Sequence, residues 1–240
     1  MTAPMPDIHA NLERVREQIR TAAVAAGRRP EEIRLVAVSK YMPESYLREA
    51  MQAGQHVFGE NTVQDALGKL RVLQEPGNEW HFIGHLQTNK AKHIPGNFSW
   101  LHTLDSTKLA NRLARHCQET HSTLNILIQV NVSGDPDKHG LPAERLFGFT
   151  EELLEAGHAG LSLRGLMTIG SGASPSSAGV PNTRTVMPRS PCASSMPIAN
   201  RPLPPLSAAM ACGAGSIASP VLSRVMSVIR SPCALLMFIW

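Results

Sequence analysis

The 240-residue chain is short of cysteine, with only Cys117, Cys192, Cys212 and Cys233. No two of them form a C-x-x-C pair, so neither a disulfide framework nor a cysteine-based metal knuckle is encoded, and a reducing cytoplasm is the expected setting. Residues Met1 to Asp7 lack a basic stretch followed by an apolar run, which argues against a secretory leader. Long apolar runs are missing too. The longest uncharged stretch, Pro202 to Ser223, is broken by proline, glycine and serine and would span a membrane poorly. Gly59 and Gly84 sit in neither a G-x-G-x-x-G fingerprint nor a P-loop, which leaves nucleotide binding without support.

One absence is local. Residues 171–240 contain five arginines and no Asp, Glu, Lys or His, whereas residues 1–170 hold 18 Lys+Arg and all 19 Asp+Glu. The formal charge of +4 therefore belongs entirely to the last 70 residues and does not point to a nucleic-acid partner. Those residues also carry 13 serines and 10 prolines, and the prolines interrupt every candidate element. The expectation is one domain over 1–170 and an irregular tail over 171–240. The tail ends in the apolar run Ala234 to Trp240 with nothing evident to cover it. A change of reading frame near Gly170 accounts for such a break, and sequencing the gene tests it. A neighbouring frame that encodes no sensible continuation would overturn the idea.

Within 1–170, helices and strands alternate. Ile8, Leu12, Val15, Ile19, Ala22 and Ala26 recur at helical spacing behind a capping Asp7, predicting a helix over 7–27. Short apolar runs predict strands at 33–39, 56–59, 80–84, 100–104, 125–131 and 161–169. Helices are predicted at 43–53, 61–73, near 86–93, after Asp105/Ser106, and from Pro142. Six β units separated by helices predict a parallel α/β fold. A closed (β/α)8 barrel of the TIM type needs two further strands after Gly170, and without them the outer edges of strands one and six are open.

Polar residues gather at the predicted strand ends: Ser39-Lys40, Glu60-Asn61, Gly84-His85, Asp105, Asn131 and Met167-Thr168. In a parallel barrel these ends share one rim, where active sites form. Lys40, at the end of a buried strand, is the candidate amine for imine chemistry, against the plainer reading of a lysine reaching into water. His81 and His85 have metal-like spacing, but on a strand and with no completing ligand, so no metal is expected. His85 is read as a hydrogen-bonding rim residue, Cys117 as core, and Lys69, Lys90 and Lys92 as a solvated helix face.

The segments Leu35-Val36-Ala37-Val38-Ser39-Lys40, Phe58-Gly59-Glu60-Asn61, Trp80-His81-Phe82-Ile83-Gly84-His85-Leu86-Gln87, Asn89-Lys90, Gln129-Val130-Asn131 and Gly165-Leu166-Met167 occur in order over about residues 7–170. In this the chain resembles the pyridoxal-phosphate homeostasis proteins. The resemblance implies a single-domain barrel related to the N-terminal domain of alanine racemase, with pyridoxal 5′-phosphate held as an imine on Lys40. It implies that Asn61, His85, Asn131 and Met167 line or adjoin the cofactor. It further implies a protein that helps balance vitamin B6 pools without turnover. From composition and charge, the chain is expected in the cytoplasm with neither nucleic-acid nor membrane partners, as a monomer or a higher oligomer. A racemase of this fold needs a second base from a separate β-domain, and a cofactor-free barrel lyase would use Lys40 on a carbonyl substrate; both stay as alternatives. The family's phosphate-binding segments after residue 170 have no counterpart here, so weak cofactor retention is expected. A stoichiometric yellow complex that survives dialysis would overturn that expectation.

Overall fold

The structure is a computed structural model that describes residues 7–73, 75–132, 137–169 and, as backbone, 234–239. Helix α1 (Ile8–Ala25) starts where Asp7 Oδ1 accepts a 2.9 Å hydrogen bond from the Ala10 amide. It buries Ile8, Leu12, Val15 and Ala23, while Ile19 is half-buried and Ala22 and Ala26 face solvent. In the last turn the buried position is Ala23 in place of the expected Ala22 and Ala26.

The chain then alternates as predicted: β1 (Ile33–Val38), α2 (Glu44–Gln52), β2 (Val57–Glu60), α3 (Val63–Val72) and β3 (Glu79–Phe82). A 3-10 helix at Thr88–His93 replaces the short helix expected there. Next come β4 (Trp100–Leu104), α4 (Thr107–Glu119), β5 (Leu124–Asn131), the two-residue β6 (Leu141–Pro142), α5 (Leu146–Glu155) and β7 (Leu161–Met167). Ser106 occupies the N-cap of α4 without a side-chain hydrogen bond to it. Pro142 leads into α5 through a 3-10 turn at Ala143–Arg145.

The last described strand is β8 (Ala234–Ile239). All described strand pairs are parallel, in the order β6-β5-β4-β3-β2-β1-β8, with β7 also beside β5. Strand β8 (Ala234–Ile239) corrects the expectation of an open β1 edge. It pairs with the whole of β1, from Ile33↔Ala234 to Val38↔Ile239. Residues 171–233 and 240, the rest of the expected tail, lie outside the described residues.

The curled sheet has two buried faces, which explains its apolar strands. Phe58, Trp80, Phe82, Leu101, Ile126 and Ile128 pack outward against the helices, with Leu47, Leu70 and Leu113 among their partners. On the inner face Val36 and Val38 pack with Val57 and Ile83, and Trp100 packs with Leu127 and Met167. No helix among the described residues is long and apolar enough to cross a membrane.

Candidate functional site

Because the strands run parallel, their C-terminal ends meet at one rim. The ladder continues past the strands there: Ser39 N donates to Gly59 O and Ile83 N to Glu60 O, each at 2.9 Å. Continuing the Val38↔Gly59 register sets Lys40 beside Asn61. Gly84 follows on β3's end, pressed onto the backbone of Asn61: a Cβ there would lie 2.0 Å from Asn61 O. Its carbonyl accepts a 2.6 Å bond from Thr103 Oγ1, so β2, β3 and β4 are locked together at the rim.

Lys40 is half-buried, and its amine makes no hydrogen bond or ion pair with any described residue. The next residue, Tyr41, has φ 62°, a left-handed conformation that a bulky side chain seldom adopts. Asn61 is half-buried. His85 stacks on His139 with centroids 3.8 Å apart and planes at 10°, and its Nδ1 lies 3.9 Å from Asp105 Oδ2. His85 thus meets an aromatic neighbour and a carboxylate at the rim.

On the far side, Asn131 donates to Lys138 O at 3.1 Å. Met167 is buried one layer lower, opposite Gln129, against Trp100 and Leu127. Beside it, Thr168 Oγ1 and Gln129 Oε1 are buried without a partner among the described residues. Buried polar atoms in a folded protein are rarely left unpaired, so these two fit a site that receives a polar ligand. With the unpartnered amine of Lys40 on the same rim, the residues present suit an aldehyde-bearing polar cofactor.

Lys69 corrects the sequence reading. It is 5% exposed, not solvated. From α3 its ammonium donates to Ser39 O (2.6 Å), Glu60 Oε1 (2.8 Å) and Asp65 Oδ2 (2.9 Å). Ser39 Oγ donates to the same Glu60 oxygen at 2.6 Å, and Asp65 Oδ2 also accepts from Tyr41 N at 3.4 Å. Burial pushes the Glu60 carboxyl above its ordinary range, against the pull of Lys69 and Ser39. The available signal was positional: Lys69 stands three residues after buried Ala66 and four after Asp65.

A second polar group crosses the inner face. Arg34 Nη2 pairs with Glu79 Oε2 at 2.6 Å, and Glu79 Oε1 lies 2.9 Å from His81 Nε2. His81 Nδ1 is 2.9 Å from His102 Nε2, and Trp100 stacks on His81 at 5.4 Å. Burial holds both imidazoles below their ordinary value of 6.5, His102 well below it. Below about pH 6.5 the unfolded chain takes up protons that these histidines refuse in the fold. Stability therefore falls as the pH drops from 6.5, with a limiting slope of about 1.4 kcal/mol per pH unit for each histidine. Urea unfolding from pH 8 to 5 checks this: His102→Leu flattens the decline, and an unchanged slope in that variant would refute the assignment.

The fold and this rim define the class of protein. Residues 10–189 match the family of the alanine racemase N-terminal domain. The pyridoxal phosphate homeostasis protein of Escherichia coli (strain K12) is 45% identical over 168 residues, which cover 69% of this chain and 71% of that protein. The structure of PipY from Synechococcus elongatus PCC7942, solved with PLP bound, is 35% identical over 65% of this chain and 72% of its own, with TM-score 0.55. An alanine racemase from Streptomyces lavendulae shares the fold at 15% identity and TM-score 0.53, over 72% of this chain and 42% of its own. The chain belongs to the pyridoxal phosphate homeostasis protein family, within that wider racemase-like class.

Proposed function

We propose that this chain binds pyridoxal 5′-phosphate through Lys40 and serves intracellular vitamin B6 homeostasis, without catalytic turnover. The observation that carries the reading is the contrast between two lysines near the rim. Lys69 has its three ammonium hydrogens directed at three acceptors, whereas Lys40 is half-buried with an unengaged amine. When bound, the cofactor supplies an aldehyde carbon that a lysine amine captures with loss of one water. Lys40 is the residue that offers this amine. Asn61 and His85 follow it in succession at the ends of β2 and β3, Asn131 would close the far side at the end of β5, and Met167 would form the apolar floor beside the unpaired Thr168 and Gln129 oxygens. The homologous PipY structure with PLP bound and the name of the Escherichia coli relative both support this reading.

The family's phosphate-binding segments have no recognisable counterpart after residue 170 in this sequence, and residues 170–233 lie outside the described residues. A domain boundary near residue 170 is part of the proposal, and so is a cytoplasmic monomer with neither nucleic-acid nor membrane partners.

Pyridoxal phosphate addition, borohydride reduction and peptide mass spectrometry test the assignment. The expected adduct sits on Lys40, and Lys40→Ala abolishes it with a loss of at least about tenfold in total label. Labelling at another lysine, or none in the unaltered protein, refutes it. Dialysis before reduction measures retention.

A further inference from the structure

We infer that Lys69 is a positioning residue, whose buried ammonium holds the peptide groups on both sides of Lys40 and so sets where the Lys40 amine stands. The inference rests on the proposed role of Lys40 as the cofactor lysine. Its geometry is independent of that role.

Lys40 follows Ser39, whose carbonyl takes a 2.6 Å bond from Lys69 Nζ, and precedes Tyr41, whose amide donates to Asp65 Oδ2 at 3.4 Å. That same Asp65 oxygen is held at 2.9 Å by Lys69. One ammonium therefore reaches both flanking peptides, directly on one side and through a carboxylate on the other. Met42 N closes the turn onto Ser39 O at 3.1 Å, so the loop from 39 to 42 is pinned at every residue except Lys40.

Three features mark this as a device rather than a surface ion pair. First, an ammonium has three donors, and all three have acceptors here, which fixes its direction. Second, Lys69 and Glu60 are buried (5% and 0% exposed), and Glu60 Oε2 has no partner. A buried pair of this kind is weak ground for stability but well suited to specifying one arrangement. Third, Tyr41 is held at φ 62°, and backbone strain of that sort persists only where the surroundings enforce it. Ser39 and Glu60 belong to the outer face of the sheet and Lys40 is the next residue along, so the clamp grips the strand end from behind and leaves the rim open.

The decisive variant is Lys69→Met combined with Glu60→Gln. The pair removes the clamp without stranding a buried carboxylate, and Ser39 Oγ keeps an acceptor in the glutamine. Two readouts apply. In protein without cofactor, hydrogen exchange at the Tyr41 and Met42 amides is expected to quicken at least about tenfold, with protection in β3 to β5 unchanged. In protein given pyridoxal phosphate and borohydride, the Lys40 adduct at limiting cofactor is expected to fall about tenfold or more, while the unfolding midpoint stays near that of the unaltered protein. Unaltered exchange at Tyr41 and Met42 overturns the clamp. Quickened exchange with an undiminished Lys40 adduct overturns its positioning role. If the unaltered protein takes no label on Lys40, the proposed function fails, and the exchange measurement still decides the clamp.

Discussion

Lys69→Met lowers the free energy of unfolding by about 3–5 kcal/mol, the loss expected when one partner of a buried ion pair is removed. The reason lies in what remains. Glu60 is fully buried, one of its oxygens is already unpaired, and its other oxygen would keep only the Ser39 hydroxyl. Burial already holds this carboxyl above the ordinary value of 4.5, and without the ammonium it rises further. A raised carboxyl binds its proton more tightly in the fold than in the unfolded chain. Stability of the variant therefore declines as the pH rises above 4.5, opposite in direction to the histidine effect. Urea titrations at several pH values would show the loss growing toward neutrality and largely removed by adding Glu60→Gln. Lys92→Met, at an exposed position, should change stability by no more than about 0.5 kcal/mol. A Lys69→Met protein as stable as the Lys92 variant would contradict the buried network.

Gly84→Ala is expected to cost about 3 kcal/mol, at the upper end of overpacking effects. The added methyl would lie 2.0 Å from Asn61 O, 2.7 Å from its carbonyl carbon and 2.8 Å from its Cα. These are backbone atoms, so no rotamer change relieves the clash. Gly84 has little room to retreat, because Thr103 holds its carbonyl from β4 at 2.6 Å. The end of β2 must move, and Asn61 and the loop carrying Lys40 move with it. Chemical denaturation measures the cost, and borohydride labelling of Lys40 reports the displacement. Gly68→Ala makes the opposite control. An added Cβ at this helical site meets nothing within 4 Å, and the change should stabilise α3 by about 0.5–1 kcal/mol. Equal effects at the two glycines would show that the clash at Gly84 is relieved without displacement.

The alternation of helices and strands was readable because each element advertises itself locally. Asp7 ahead of an apolar stripe, or Ile126 to Val130 as an unbroken run, needs no distant partner to be recognised. Convergence of Lys40, Asn61, His85 and Asn131 on one rim followed from parallel strands alone. What escaped were residues whose surroundings come from far along the chain. Lys69 is charged and looks solvated until Ser39 and Glu60, from two different strand ends, are brought against it. The His81–His102 pair is likewise set by strand neighbours, and period-two alternation in Glu79-Trp80-His81-Phe82 was its one local trace. The stacking of His85 on His139 joins the end of β3 to the stretch between β5 and β6, which no spacing rule anticipates. The run from Ala234 looked like an exposed apolar end because its partner, β1, was already assigned at the other end of the sequence.

That pairing bears on the order in which the protein is assembled. Strand β8 reaches β1 across about 200 residues of chain, the longest closure among the described strand pairs. Contacts so far apart in sequence form late and slowly. On the ribosome, β1 emerges early and waits through the synthesis of every other strand with one row of amide and carbonyl groups exposed. Until Ala234–Ile239 is made, the free edge of Ile33–Val38 is open to wrong pairing, and a chaperone that shields it would raise the yield of folded protein.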